Sequence, residues 1–158
     1  MRTGTRTELG RKWAHMGYRP VAPVKIGYEN VYLYLTLRPF TGNGFAAFLP
    51  KLDSQQFAWF IEQVQACVGQ KMLFIADGAT AYKAELFDKE KLTFVRLPAA
   101  CPELNPVERF FKEVRRGLKN RVFATLEQAQ QKIQEVVETS ADQVSSLTRF
   151  LYLKILHN

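Results

Sequence analysis

The stretch KMLFIAD (Lys71–Asp77) constrains the fold more than any other part of this sequence. Its apolar residues follow one another without the alternation of a half-buried strand, which is typical of a strand covered on both faces. Segments with helical spacing of apolar residues precede and follow it, so helices are available to cover both faces. We therefore expect a layered α/β domain with a central mixed sheet, in which Asp77 stands at the carboxyl end of a buried strand.

The other segments predict the remaining elements of such a domain. NVYLYLTLRPFTGNGFAAFLP predicts two strands joined through Thr41–Gly44, because Asn43-Gly44 is a strong hairpin signal. A helix is expected from Asp53 or Ser54 to a stop at Gly69. The opening, RTGTRTELGRKWAHMGYRPVAPVK, predicts turns and extended pieces rather than a helix. The later expectations are a short helix near Ala81–Phe87, a strand over Leu92–Pro98, a helix over Pro106–Leu118 and a last helix from about Leu126.

Length and composition indicate one domain over residues 1–158. No apolar run reaches the roughly 18 residues that a membrane helix needs, so we expect no membrane partner. The first residues lack the apolar region of a signal peptide. Two cysteines, Cys67 and Cys101, are too few for a disulfide framework, and we expect both to be reduced. These features favour a cytoplasmic location.

The positive charge of the sequence is concentrated in two segments. The formal net charge is +7, and residues 1–28 hold six basic residues against one acidic residue. Residues 105–121 hold six basic residues against two acidic ones. Such clusters are typical of a surface that binds a polyanion. A solvated basic surface gives the same composition, so both interpretations stay open.

Two acids, Asp77 and Glu108, are candidates for chemistry, and each has a structural alternative. Asp77 follows the predicted strand, where α/β proteins gather ligands, but Asp77-Gly78 is also a common turn pair. Glu108 lies three residues after Asn105, the expected N-cap, and could complete a capping box or pair with Lys112. Helical spacing also places Glu108 at the border of the buried face, below a row of cations. There it could share a metal ion with Asp77.

Two longer motifs then resemble a known family. IADGATAYK followed by LPAACPELNPVERFFKEVRRGL resembles the catalytic half of the Tc/mariner superfamily of transposases, in particular their bacterial insertion-sequence relatives with an Asp-Asp-Glu active site. The match extends back through GRKWAHMGYRP and YLYLTLRPFTG, so it covers about the whole chain. It implies a ribonuclease H-like mixed sheet flanked by helices, with its first strand largely missing. It also implies that Asp77 is the second catalytic aspartate and Glu108 the third acid.

The resemblance implies a metal-dependent enzyme that cleaves DNA and transfers the cut strand. The acids of the family hold two Mg(II) (or Mn(II)) ions, and carboxylate oxygens suit such hard cations. The implied partner is DNA, both the ends of the mobile element and the target. A homodimer, or pairing with an intact transposase, is the expected protein partnership. Trp13 is expected to pack at the core or its rim, with stacking near DNA as the alternative. The candidate phosphate contacts are Arg11, Lys12, Arg109, Lys112, Arg115, Arg116 and Lys119.

The sequence also departs from the family pattern. The first catalytic aspartate of relatives lies on a strand just before the position of Met1, and we expect the upstream helix-turn-helix region of the family to be missing as well. Tyr82 stands where a histidine is common, and Cys101 replaces a usual serine. We therefore expect an N-terminally truncated domain with little or no transposition activity. The alternatives are a nucleic-acid-binding remnant without activity and an inhibitory partner of intact transposase.

Overall fold

The structure, a computed structural model, describes residues 1–38, 41, 43–78 and 90–141. No helix within these ranges is long and apolar enough to cross a membrane. The predicted short helix at Ala81–Phe87 lies outside the described residues. The strands are β1 (Arg2–Gly4), β2 (Asn30–Leu37), β3 (Gly44–Leu49), β4 (Met72–Ala76) and β5 (Leu92–Arg96). The helices are α1 (Ser54–Val68), α2 (Pro106–Leu118) and α3 (Leu126–Ala141), with a 3-10 turn at Pro102–Leu104 before α2.

The strands form an antiparallel and a parallel group. β1, β2 and β3 pair antiparallel in that order, and β4 pairs parallel with β5. Leu37 lies opposite Gly44, so the β2–β3 connection runs over residues 38–43 and is longer than a two-residue Asn-Gly turn. Asn43 closes this connection by accepting a hydrogen bond from the Arg38 N–H at 2.7 Å. The mixture of antiparallel and parallel pairs confirms the predicted α/β class.

Helix α1 has the boundaries that the sequence indicates. The Asp53 side chain accepts a hydrogen bond from the Gln56 N–H at 2.8 Å and so caps the first turn. Gly69 ends the helix with φ of 65°, a left-handed conformation that glycine adopts without strain. The buried face of α1 packs against β2, β3, β4 and β5 in one core, whose buried members are Tyr34, Leu49, Phe57, Phe60, Ile61, Val64 and Leu92.

A second core lies on the opposite face of β2. Leu33 points to this side while its neighbour Tyr34 points to α1, as the alternation of a strand requires. Helices α2 and α3 cover Leu33, and Val114 and Ile133 at their contact are fully buried. The remaining buried residues of this core are Phe110, Phe111 and Leu118. The antiparallel sheet of β1, β2 and β3 therefore has a helix layer on each side, and the predicted bounds of α2 are confirmed.

Strand β4 corrects one prediction. The continuous apolar run indicated burial on both faces, but Leu73 and Ile75 are 61% and 50% exposed. Phe74, on the other face, packs against the α1 core. Among the described elements, α2 packs mainly on β2 and α3 on β1, and the second face of β4 stays exposed. Apolar composition alone did not reveal which neighbour each face would meet.

Candidate active site

Asp77 is positioned by the end of the parallel pair. Ala76 lies opposite Arg96, and the Leu97 N–H donates to the Ala76 carbonyl at 2.8 Å, so pairing continues to the residue before Asp77. The Arg96 guanidinium also reaches the Gly78 carbonyl at 3.5 Å. Asp77 and Gly78 themselves have irregular backbone. The carboxyl ends of parallel strands meet at one sheet edge, which is where α/β proteins bind ligands.

Glu108 is positioned by the start of α2. The Asn105 side chain accepts from the Val107 N–H at 3.2 Å, and Pro106 occupies the first helical position. The Asn105 N–H donates to the Pro102 carbonyl at 3.1 Å. Because this donor is already used, the capping-box alternative for Glu108 is wrong. The ion pairs among the described residues do not join Glu108 to Lys112 either.

Both acids line one cavity of about 200 Å³. Its wall is the connection between β5 and α2, where Ala100 has φ of 59°, an uncommon conformation for a residue with a side chain. A helix that begins at Pro106 was predicted after this proline-rich connection, but the role of the connection as a wall was not predicted. The clustered prolines, which restrict the backbone, were the available signal. The cavity is lined by Asp77, Gly78, Leu97, Pro98, Ala99, Ala100, Cys101, Pro102, Asn105 and Glu108.

The beginning of β1 lies within electrostatic reach of these acids. The Met1 amino group donates to the Leu33 carbonyl at 2.7 Å and is largely buried. Burial and the nearby Arg115 lower the pKa of this amino group to about 6, against the opposing effect of Glu108 and Asp77. The Met1 amino group thus lies within electrostatic range of both acids.

The cavity offers oxygen ligands of the kind that a hard divalent cation prefers. Mg(II) keeps several waters and is commonly held by one or two carboxylates together with substrate phosphates. Asp77 and Glu108 fit that donor set. Within the described ranges, no group of three or more histidine, cysteine or acidic residues could hold a metal ion. Asp77 and Glu108 are the two acids among the residues that line the cavity.

The predicted phosphate contacts lie on two surfaces. On α2 the side chains of Arg109, Lys112 and Arg116 are exposed, as is that of Lys119 at the C-cap, whereas Arg115 is half-buried. Arg116 also pairs with Glu113 at 3.2 Å. The half-buried position of Arg115 brings it within electrostatic reach of Glu8 as well as Met1. Arg11 and Lys12 are exposed on the segment between β1 and β2.

Trp13 corrects another prediction. Packing at the core or its rim was expected, but the side chain is 103% exposed and is therefore fully in solvent. Tyr82, which stands at the histidine position of the resemblance, lies outside the described residues. Cys101 is a free, partly exposed thiol in the cavity wall.

Comparison with known proteins gives a family model and a solved structure. The model of the DDE superfamily endonuclease matches residues 1–130. No curated protein matches the chain. A solved structure, the Mos1 transposase paired-end complex with left transposon end, is similar with a TM-score of 0.63 at 10% identity. The match covers 94% of this chain and 53% of that chain, so this chain spans about half the length of that transposase. The likeness confirms the ribonuclease H-like fold.

Proposed function

The chain belongs to the DDE superfamily of endonucleases, and on that premise we propose that it is the catalytic domain of a transposase that cleaves and joins DNA strands. The observation that carries the proposal is the meeting of Asp77 and Glu108 at one cavity. These acids come from distant parts of the sequence and from different elements. Neither the turn nor the capping box, which were the structural alternatives, accounts for that convergence.

The proposed cofactor is a divalent cation, Mg(II) or Mn(II), held by the carboxylate oxygens of Asp77 and Glu108. When bound, such an ion polarises a phosphoryl oxygen and strengthens an oxygen nucleophile. With two carboxylates rather than three among the described residues, we expect slow cleavage by the 158-residue chain.

The protein's own contribution is to hold the two acids still. The backbone pairing of β4 with β5 orients Asp77, and the Asn105 cap fixes the turn that bears Glu108. Carboxylates that are already oriented need little rearrangement when charge develops in the reaction. The exposed cations along α2 begin at Arg109, next to Glu108, and extend to Lys119 at the C-cap. They suit contacts to DNA phosphates, which position a strand without reading its sequence.

Mn(II) binding and nicking of supercoiled DNA test this proposal together. Asp77→Asn and Glu108→Gln keep the size of each side chain and remove its charge. Loss of an outer-shell partner alone typically costs about 10–100-fold in metal affinity, so each change should cost at least about tenfold. Free Mn(II), followed by electron paramagnetic resonance, reports the affinity. We expect nicking by either variant to fall to the rate without protein.

Glu103→Gln is the matched control, because Glu103 is an exposed acid of the same connection that does not line the cavity. It should retain both Mn(II) binding and nicking. Unchanged Mn(II) affinity in both cavity variants would reject the proposed site. If the parent chain does not nick DNA, and the double variant Asp77→Asn, Glu108→Gln still binds DNA, the nucleic-acid-binding remnant would be favoured. Weak DNA binding with co-purification of an intact transposase would favour the inhibitory partner.

A further inference from the structure

The segment between β1 and β2, residues 5–29, forms an arm whose base is pinned to the domain. The Thr5 N–H donates to the Glu29 carbonyl at 3.0 Å, and the Thr7 N–H to the Lys25 carbonyl at 3.1 Å, so the two limbs of the arm are joined. The Lys25 ammonium donates to the carbonyls of Phe123 and Ala124, at 3.0 and 2.6 Å. The base therefore has a fixed direction relative to the connection between α2 and α3.

A second set of bonds ties the base to the end of α2. The Asn120 N–H donates to the Glu8 carbonyl at 2.7 Å, and the Gly10 N–H donates to the Asn120 side-chain oxygen at 3.1 Å. Gly10 also lies against the Lys119 side chain. The arm thus leaves the domain directly beside Lys119, at the C-terminal end of α2.

Beyond this base, the arm exposes large side chains that no described element covers. Every residue from 11 to 21 is exposed, including Trp13 at 103%, Met16 at 101% and Tyr18 at 78%. The tip, residues 11–24, is closed by a turn in which the Tyr18 N–H donates to the His15 carbonyl at 3.0 Å, with Gly17 at φ of 90°. Large apolar side chains that are exposed on a segment with a fixed base indicate a surface for an interaction.

The charge of the tip indicates what that partner is. Residues 11–24 contain three cations and no carboxylate. A second copy of this chain carries the same excess of positive charge, +7 overall, whereas DNA supplies negative charge along its whole length. Aromatic side chains interleaved with cations are also the combination by which proteins bind unpaired nucleotides, because every base offers a face for stacking. Charge complementarity therefore favours DNA over a second copy.

We propose that the arm grips DNA next to the cleavage site and that Trp13 stacks on an unpaired base, while Arg11, Lys12 and Arg19 contact the flanking phosphates. This inference rests on the proposed function in taking DNA as the substrate, and it adds the form of DNA that the arm prefers. Stacking needs a base outside the duplex, so the arm selects single-stranded or opened DNA over an intact duplex.

The experiment uses the intrinsic fluorescence of Trp13 in the full 158-residue chain. The sequence has two tryptophans, and Trp59→Phe leaves Trp13 as the reporter. Three probes are compared in EDTA, which keeps metal out of the cavity: a blunt duplex, the same duplex with a short single-stranded extension, and that extension with abasic residues. We expect the extension to quench Trp13 and to bind more tightly, and the abasic form to lose both effects.

Substitutions test whether the Trp13 ring causes the tighter binding of the extended probe. Trp13→Ala should lower the affinity for the extended probe on the order of tenfold and leave the blunt duplex almost unchanged, whereas Trp13→Tyr should restore most of the loss. Arg19→Gln should weaken binding to all three probes alike and reduce the dependence on salt, because phosphates are common to them. Trp13 is fully exposed, so its substitution leaves both cores intact.

Two results would overturn the inference. One is equal affinity for the three probes without quenching of Trp13. The other is a change in sedimentation of the DNA-free chain on Trp13→Ala, which would identify the tip as a contact between copies. Because these measurements are made without metal, quenching by the extended probe stands even if nicking is never observed. Conversely, if the chain nicks DNA with metal but the extended probe does not quench Trp13 fluorescence, the inference about the arm is rejected and the proposed function stands.

Discussion

The cavity and the arm differ in what holds them in place. Asp77 and Glu108 stand on elements that bury apolar side chains, since α2 contributes Phe110, Phe111 and Val114 to a core. The arm is held instead by hydrogen bonds at its base, and its tip places Trp13 in solvent. Burial of a large side chain contributes roughly 1.5–3 kcal/mol, whereas a typical hydrogen bond contributes about 0.5–1.5 kcal/mol. The cavity is thus stabilised by the burial of apolar side chains, whereas the arm is held to the domain mainly by hydrogen bonds.

This difference separates the expected effects of mutations in the two regions. Changes beneath the cavity should alter stability and, through it, metal binding. Changes at the tip of the arm should alter binding to DNA and leave stability as it is. Two results would contradict this difference. One is a substitution at the tip that unfolds the domain, and the other is a substitution of a buried residue of α2 that leaves stability unchanged.

The largest expected effect comes from Phe110, a buried aromatic residue of α2. Phe110→Ala removes a ring that is 3% exposed and leaves a cavity in the core that also contains Leu33, so the free energy of unfolding should fall by about 3–5 kcal/mol. Trp13→Ala removes a still larger ring, yet the change should stay within about 0.5 kcal/mol because that ring is exposed. Urea denaturation followed by circular dichroism measures both values. Similar losses in the two variants would mean that the tip packs against the domain in solution.

The sequence predicts well what depends on neighbouring residues. Asp53 and Gly69 mark the ends of α1, and Asn105 with Pro106 marks the start of α2, because caps act over a few residues of chain. The same signals led to Asp77 and Glu108, one at a strand end and one in a first helical turn. Their convergence on a cavity was an inference from resemblance and layer order, and the structure supplies the wall that the motif did not show.

The failures concern packing between distant elements. The apolar run did not show whether a helix covers Leu73 and Ile75, and Trp13 was expected to pack at the core or its rim but is exposed. Burial of such side chains is decided by partners far away in sequence. The hydrogen bonds that pin the arm, between Lys25 and Phe123 or Gly10 and Asn120, likewise join positions about a hundred residues apart.

A smaller effect is expected at the N-cap of α2, where the cavity depends on one polar contact. Asn105→Ala removes the acceptor of the Val107 N–H, which should cost about 1 kcal/mol of stability. Because Glu108 lies in the first turn, fraying there should also weaken Mn(II) binding. Asn105→Ser, which keeps a capping oxygen, should restore both quantities. An alanine variant that binds Mn(II) as tightly as the parent chain would show that the connection, rather than the cap, holds Glu108.

The smallest expected effect lies where the two regions meet, at Glu8. Burial raises the pKa of the Glu8 carboxyl above its ordinary value near 4.5, although Arg115 and Lys119 oppose that shift. A raised pKa means that the folded chain binds a proton that the unfolded chain has already released. Stability is therefore highest below pH 4.5 as far as this group is concerned, and falls as the pH rises through the raised pKa. Glu8→Gln should remove that fall.

At neutral pH, Glu8→Gln should raise the free energy of unfolding relative to the parent chain by no more than about 0.5 kcal/mol, and this gain should vanish in acid. Melting temperatures of the parent and of Glu8→Gln across this pH range measure it, and Glu103→Gln, an exposed acid away from the arm, controls for loss of a charge. If Glu8→Gln were instead less stable at neutral pH, attraction to Arg115 and Lys119 would outweigh burial. The arm would then be joined to α2 by charge as well as by hydrogen bonds, and high salt would loosen its base.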